Sequence, residues 1–256
     1  MMQPLFSASG LARLDAMIAP GTLCVFDFDG TLAPIVAQPD QAGMAGAVRE
    51  RLQALRRRTP VAILTGRSLA DIGTRLNLAV DFLVGNHGLE GLPDSAADHA
   101  RFLQTNAGWV SALRQTMSVE QHFDPAILIE DKQISVSVHY RHSANPDGTA
   151  AALRNLFATL TPAPRIIGGK FVFNLLPEDA GDKGTAIAAL IRHSGAANTL
   201  YVGDDVTDED VFRLQRADLL SVRIGQSDAS QAGYFVARQA DIVQLLDALL
   251  ARLPLP

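Results

Sequence analysis

Asp27 and Asp29 stand two residues apart at the end of the run Val25-Phe26-Asp27-Phe28-Asp29-Gly30-Thr31. Paired carboxylates at that spacing suit phosphoryl transfer. One attacks phosphorus, and the other delivers a proton to the leaving oxygen and later takes one from water. Two carboxylates repel a phosphate dianion, so the pair calls for a divalent cation, and Mg²⁺ favours carboxylate and phosphate oxygens. Further polar groups follow in chain order: the hydroxyl of Thr65, the ammonium of Lys183 and the carboxylates of Gly203-Asp204-Asp205. The expected division of labour has Asp27 forming an aspartyl-phosphate and Asp29 serving as acid and base. Mg²⁺ lies among Asp27, the backbone carbonyl of Asp29 and Asp204, while Thr65 and Lys183 hold the phosphoryl oxygens. Asp205 and Asp208 support the set by orienting Lys183 or metal-bound water. Taken singly, Thr65 or Asp208 is an ordinary helix cap and Lys183 a solvated charge. Only their joint order singles them out.

The elements that must position these groups are buried strands. Thr22–Phe26, Val61–Leu64 and Thr199–Val202 are β-branched, apolar or aromatic, and each meets its first chemical group where it stops. Phe82–Val84 and Ser221–Ile224 read as two further strands, the second of them the last. Helices between them are expected at Ser9–Ile18, Gly46–Arg57, 70–76, from Lys183 onward and at Ile242–Leu253; a loop with Pro34 and Pro39 follows the first strand. Strands alternating with helices imply a doubly wound, Rossmann-like parallel sheet, with the polar strand ends along one edge. The glycines from Gly85 to Gly91 mark tight turns, and their spacing is not that of a dinucleotide-binding loop.

From about Arg101 the pattern changes. A helix through Trp109, Val110, Leu113 and Met117 leads to strands near Ala126–Ile129 and Gln133–Arg141, joined by the turn Glu130-Asp131-Lys132. Ile134, Val136, Val138 and Tyr140 alternate with polar residues, the period of a sheet covered on one face only. A second helix and two more strands, with alternation from Lys170 to Leu175, complete a compact antiparallel α+β cap at residues 104–176, inserted into a core made of residues 1–103 and 177–256.

Length and composition bound the function. The 256 residues are 48% hydrophobic, enough for a sizeable core, and 22 basic against 27 acidic residues give a net charge of −5. That excludes a general cationic field for nucleic acid or an anionic membrane. The one cysteine, Cys24, reads as a core residue, so neither an internal disulfide nor a cysteine zinc site is available. With no basic leader at the amino terminus and no bilayer-length apolar run, the expectation is a cytoplasmic monomer.

In their order, Asp27-Phe28-Asp29-Gly30-Thr31, Thr65, Lys183 and Gly203-Asp204-Asp205 resemble the four motifs of the haloacid-dehalogenase superfamily of phosphohydrolases. More narrowly, Leu64-Thr65-Gly66-Arg67-Ser68, Gly85-Asn86-His87-Gly88-Leu89-Glu90 and Gly203-Asp204-Asp205-Val206-Thr207-Asp208-Glu209 resemble the trehalose-6-phosphate phosphatase family. So do Glu130-Asp131-Lys132 and His139-Tyr140-Arg141. The resemblance implies Mg²⁺-dependent hydrolysis of trehalose 6-phosphate to trehalose and phosphate, with the cap closing over a small sugar phosphate. It counts Gly30, Thr31, Gly66 and Arg67 as substrate-binding, with Glu130 and Lys132 bonding sugar hydroxyls. Asp131 reads as a plain turn residue facing water.

One departure bears on the substrate. Family members usually carry a glutamate and then a basic residue in the strand after the glycine-lysine pair, where this chain has Asn174 and Leu176. Asparagine still bonds a hydroxyl, but it is shorter and uncharged. Sucrose 6-phosphate or mannosyl-3-phosphoglycerate therefore stands as the alternative substrate. A signalling receiver domain also gathers aspartates, a threonine and a lysine around Mg²⁺, yet it has no use for Asp29 or a cap. A carbohydrate-binding protein with a degenerate site would lack a motif residue, and none is missing.

Overall fold

The computed structural model describes residues 2–36, 41–92, 96–119 and 123–255, which leaves Pro39 outside the described residues. From the amino terminus, β1 (Gln3–Pro4) and α1 (Ala8–Met17) precede β2 (Leu23–Phe26), α2 (Gly46–Arg56), β3 (Val61–Leu64), α3 (Leu69–Leu76) and β4 (Phe82–Val84). A second set follows: α4 (Ala96–Val119), β5 (Leu128–Asp131), β6 (Val136–His139), α5 (Pro146–Phe157), β7 (Pro164–Gly169) and β8 (Val172–Pro177). The first pattern resumes with α6 (Lys183–Ser194), β9 (Thr199–Gly203), α7 (Glu209–Phe212), β10 (Leu219–Ile224), β11 (Tyr234–Val236) and α8 (Ile242–Arg252). The chain divides into two compact units, Met1–Leu92 with Gly181–Pro256, and Pro93–Ala180. α4 runs through residue 103, where the sequence pattern places a junction, and lies in the second unit. Among the described residues, no helix is long and apolar enough to cross a membrane.

The first unit is built on a seven-stranded parallel sheet in the order β1-β11-β10-β9-β2-β3-β4. β2 and β3 are apolar at every position, and β9 is buried throughout, because both faces are covered. Cys24, Phe26, Val61, Ile63, Leu200 and Val202 face one core with Leu14 of α1, Leu52 of α2 and Leu245 of α8. Leu23, Val25, Ala62, Leu64 and Tyr201 face the other with Ile187 and Leu190 of α6 and Phe212 of α7. β2 pairs with β3 on one side and β9 on the other, so the direction of winding reverses beside it. In open α/β sheets that reversal opens a crevice at the strands' carboxyl ends, where ligands bind. Ser221–Ile224 is not the last strand: β11 and the short β1 extend the sheet beyond β10. Two or three residues are too few to show an alternation in sequence.

The second unit holds a four-stranded antiparallel sheet in the order β5-β6-β8-β7. Val136, Val138, Phe173 and Leu175 pack one face against Trp109 and Leu113 of α4 and Leu153 and Phe157 of α5. Strand alternation puts Glu130, Ser137, His139, Asn174, Leu176 and Arg165 on the opposite face. On that face Glu130, His139 and Asn174 are partly exposed, while Ser137, the smallest of them, is buried. Ser137 tolerates this because its hydroxyl donates to Asn174 Oδ1 at 2.5 Å across the strands. β6 starts at Val136 rather than Gln133, because Gln133 takes φ +72° and the Lys132 amide donates to Ser135 O to close a turn. Glu130 and Asp131 lie within β5 and not in that turn.

Candidate active site

Asp27 follows β2 directly, and its amide continues the ladder by donating to Val202 O at 2.9 Å. The residue is 4% exposed. Lys183 opens α6, whose first turn is fixed by Asp182 accepting the Thr185 amide. Its Nζ donates to Asp27 Oδ1 at 2.8 Å and to Asp208 Oδ1 at 2.7 Å, entirely within the protein interior. Asp208 takes four donors. Oδ1 also accepts from the Tyr201 hydroxyl at 2.6 Å, and Oδ2 accepts the amides of Asp204 and Asp205 at 2.7 and 2.8 Å. Both oxygens of Asp208 are thereby saturated.

Two glycines let the carboxylates come this close. A Cβ on Gly203 would lie 2.3 Å from Asp208 Cγ, and one on Gly30, at φ +81°, would lie 2.0 Å from Asp204 Oδ2. Thr31 Oγ1 donates to Asp204 Oδ1 at 3.3 Å. Asp27, Asp204 and Asp208 each place a carboxylate oxygen within 4.8 Å of the others. Asp208 is occupied by its donors, so Asp27 and Asp204 are the pair suited to a cation. An all-oxygen set of this kind fits Mg²⁺.

The electrostatics point the same way. Burial, reinforced by the charges of Asp208 and Asp204, pushes the Asp27 carboxyl well above its usual range against the pull of Lys183. Burial and the Asp208 charge push Asp204 up to about 7. Lys183 is held in its charged form because Asp208 and Asp27 outweigh the opposing effect of burial. Asp204 is raised in the folded chain from an ordinary 3.8. Its contribution to stability is therefore full below about pH 4 and lost as pH rises through about 7. A divalent cation bound at Asp204 would take the proton's place. Chelated protein should melt at a lower temperature at pH 8 than at pH 5, and Mg²⁺ should raise Tm more at pH 8. A gain in Tm that did not grow with pH would detach Asp204 from the cation.

Asp29 sits apart from that cluster. Arg67 Nε donates to its Oδ2 at 2.6 Å and Nη2 to its Oδ1 at 2.7 Å, a bidentate fork. Arg67 Nη1 donates to Asp71 Oδ2 at 2.6 Å, and Arg75 grips the same Asp71 carboxylate through Nε and Nη2 at 2.6–2.9 Å. Arg67, a substrate-binding candidate by sequence, thus has its guanidinium engaged by two carboxylates. Thr65 is buried, and its Oγ1 accepts the Arg67 amide at 3.2 Å. Gly66 lies against the His87 ring, where a Cβ would approach to 2.4 Å. Asn86 and His87 adopt φ +46° and +59°, and their amides donate to Arg67 O and Thr65 O, backing the Thr65 loop. Tyr201, Asp71 and Arg75 were not singled out by sequence. Arg67, Asp71 and Arg75 do recur at a spacing of four, the helical-neighbour signal, whereas Tyr201 reads as one more core side chain.

Within the second unit, Glu130 Oε2 lies 2.8 Å from His139 Nε2. Strand register sets Glu130 opposite Ser137, and Ser137 opposite Asn174. Leu176 is fully buried and pairs with Arg165. Lys132 is half-buried in the turn after β5. Asp131 does more than face water: Oδ1 accepts from Asn106 Nδ2 at 2.7 Å and the Gln133 amide at 2.8 Å, tying the turn to α4.

Comparison with known proteins places this arrangement. The trehalose-phosphatase family model matches residues 25–239, a span that holds every site residue described above. The trehalose-phosphate phosphatase of Mycobacterium tuberculosis (strain H37Rv) is 33% identical over 260 residues, covering 96% of this chain and 65% of that protein. That of Mycobacterium avium (strain 104) is 36% identical over 197 residues, covering 73% and 49%. The chain thus spans 65% or less of the length of these curated relatives. Among solved structures, the C-terminal domain of the C. albicans trehalose-6-phosphate phosphatase shares the fold, with a TM-score of 0.75 at 20% identity over 97% of this chain and 98% of that one. On the extent of the family match, the chain belongs to the trehalose-phosphatase family.

Proposed function

We propose that the chain is a Mg²⁺-dependent phosphatase that hydrolyses trehalose 6-phosphate to trehalose and phosphate through an aspartyl-phosphate on Asp27. The observation that carries this reading is the buried Lys183–Asp27 contact at 2.8 Å, beside Asp204 and two residues from Asp29. Lys183 tethers Oδ1 of Asp27 and so fixes the plane in which the carboxylate meets phosphorus. A bond forms from Asp27 to phosphorus as the bond from phosphorus to the sugar oxygen breaks, and Asp29 supplies the proton that the sugar oxygen takes up. Water then attacks phosphorus, gives a proton to Asp29 and releases the Asp27 carboxylate. Thr65 Oγ1 accepts the Arg67 amide, so its own proton is directed elsewhere and suits a phosphoryl oxygen. The amino terminus of α6, at Lys183, adds partial positive charge. When bound, Mg²⁺ offsets the carboxylates and the phosphate dianion.

In the same proposal Glu130, Lys132 and Asn174 read the sugar that is not phosphorylated. Support comes from Glu130 and Asn174 sharing, with Ser137 and His139, the sheet face opposite the helices of the second unit. Phosphate release across a panel of sugar phosphates tests it. Trehalose 6-phosphate should be hydrolysed far faster than glucose 6-phosphate. Glu130→Ala should remove about 1–3 kcal/mol of transition-state stabilisation on the disaccharide and spare a small aryl phosphate. Equal rates across the panel would retire the trehalose assignment. The panel includes sucrose 6-phosphate and mannosyl-3-phosphoglycerate because Asn174 is uncharged and Leu176 is buried.

A further inference from the structure

We infer that Asp71, with Arg75 behind it, is a positioning residue for Asp29 and acts through Arg67. The inference rests on the reading of Asp29 as the group that serves the leaving oxygen. The Asp29 side chain is 38% exposed, and an exposed carboxylate turns about two bonds unless something holds its plane. The fork from Arg67 holds it, and each oxygen keeps a further lone-pair direction for the reacting atom. A guanidinium on a long, flexible stem can aim a partner only if it is itself fixed. Arg67 is fixed on two more sides, by Asp71 at 2.6 Å and by the Phe28 ring 5.8 Å from its Cζ. Asp71 sits in the first turn of α3, and Arg75 one turn on grips its carboxylate as an i,i+4 partner. The order of restraint therefore runs from α3 into the loop after β2. Arg75 sets Asp71, Asp71 sets Arg67, and Arg67 sets Asp29.

The test is leaving-group dependence. Asp71→Asn keeps the side chain's size and removes its charge. Turnover is measured on aryl phosphates of falling leaving-group ability down to an alkyl phosphate, beside Asp29→Asn and the unaltered enzyme. Asp71→Asn should lower kcat about tenfold on the alkyl phosphate with KM little changed, and less than about twofold on p-nitrophenyl phosphate, whose departure needs little proton donation. A general disturbance of the fold would lower both alike and overturn the inference. Arg75→Gln should give the same pattern more weakly, and decides the matter if Asp71→Asn does not fold. Should Asp29→Asn itself show no leaving-group dependence, the acid reading of Asp29 fails first and the inference with it. A steep dependence in Asp29→Asn alongside wild-type behaviour in both Asp71→Asn and Arg75→Gln would overturn the positioning inference alone. Higher turnover of Asp71→Asn on the alkyl phosphate would overturn it too, by showing that the fork restrains Asp29.

Discussion

Asp27→Asn is expected to lower turnover by about 10⁴-fold or more while the protein melts no lower than the unaltered chain. Both outcomes follow from the burial of Asp27. An amide of the same shape cannot form the acyl-phosphate bond, so the two-step route is closed. The carboxylate it replaces is one that burial and the charges of Asp208 and Asp204 disfavour, and removing a disfavoured charge costs the fold nothing. Lys183 keeps its second partner, Asp208, at 2.7 Å. Stability given up at a reactive group is commonly regained when that group is neutralised. Phosphate release and thermal melts on the same preparation check the prediction. Residual turnover above about 1% of wild type, beyond what a nucleophile variant retains, would remove Asp27 from the nucleophile's role.

Asp208→Ala should do the opposite kind of damage, taking stability and activity together. It strips the acceptor from Lys183, Tyr201 and the amides of Asp204 and Asp205 at once. Breaking a buried ion pair by deleting one partner costs about 3–5 kcal/mol. For a chain of this size that is a fall in Tm on the order of 10 °C. Activity should fall with it, because Lys183 and the Asp204 backbone lose the group that places them. Asp205 is the contrast: it is exposed, and its carboxylate does no more than cap the short turn that follows, accepting the neighbouring Val206 amide at 2.7 Å. Asp205→Ala should cost about 1 kcal/mol or less. If Asp208→Ala melted with the wild type, Asp208 would not be the hub that its four donors imply.

The residues legible in sequence are those that stand where a buried parallel strand stops. Asp27, Thr65 and Asp204 were readable because Leu23–Phe26, Val61–Leu64 and Thr199–Gly203 are buried on both faces, and a shared sheet direction brings their ends together. Lys183 was readable from the helix start around it. Contacts between distant loops were not. Arg67 meets Asp29 across 38 residues, and neither residue's neighbourhood names the other. Tyr201 alternates with Leu200 and Val202 as any core residue does, and only its hydroxyl, aimed at Asp208, gives it another task. In the second unit, the alternation through Ile134 suggested a longer strand than exists. Burial at Ile134 survives in a turn, so the period persisted where the ladder did not.

The pairing of β2 with β9 sets a timetable for the chain as it is made. Leu23 and Thr199 are neighbours in the sheet, yet all of Pro93–Ala180 lies between them in sequence. Until β9 arrives, β2 can pair only with β3 and presents four apolar residues along a bare edge, the kind of template that invites association between chains. The inserted unit carries no such debt: its strands pair antiparallel within one continuous segment, and its own core of Trp109, Phe157 and Phe173 can close early. Pairing of β2 with β9 must wait for a loop that spans the whole inserted unit. Asp27 likewise meets Lys183 only after the inserted unit has been made, because α6 follows that unit in the chain.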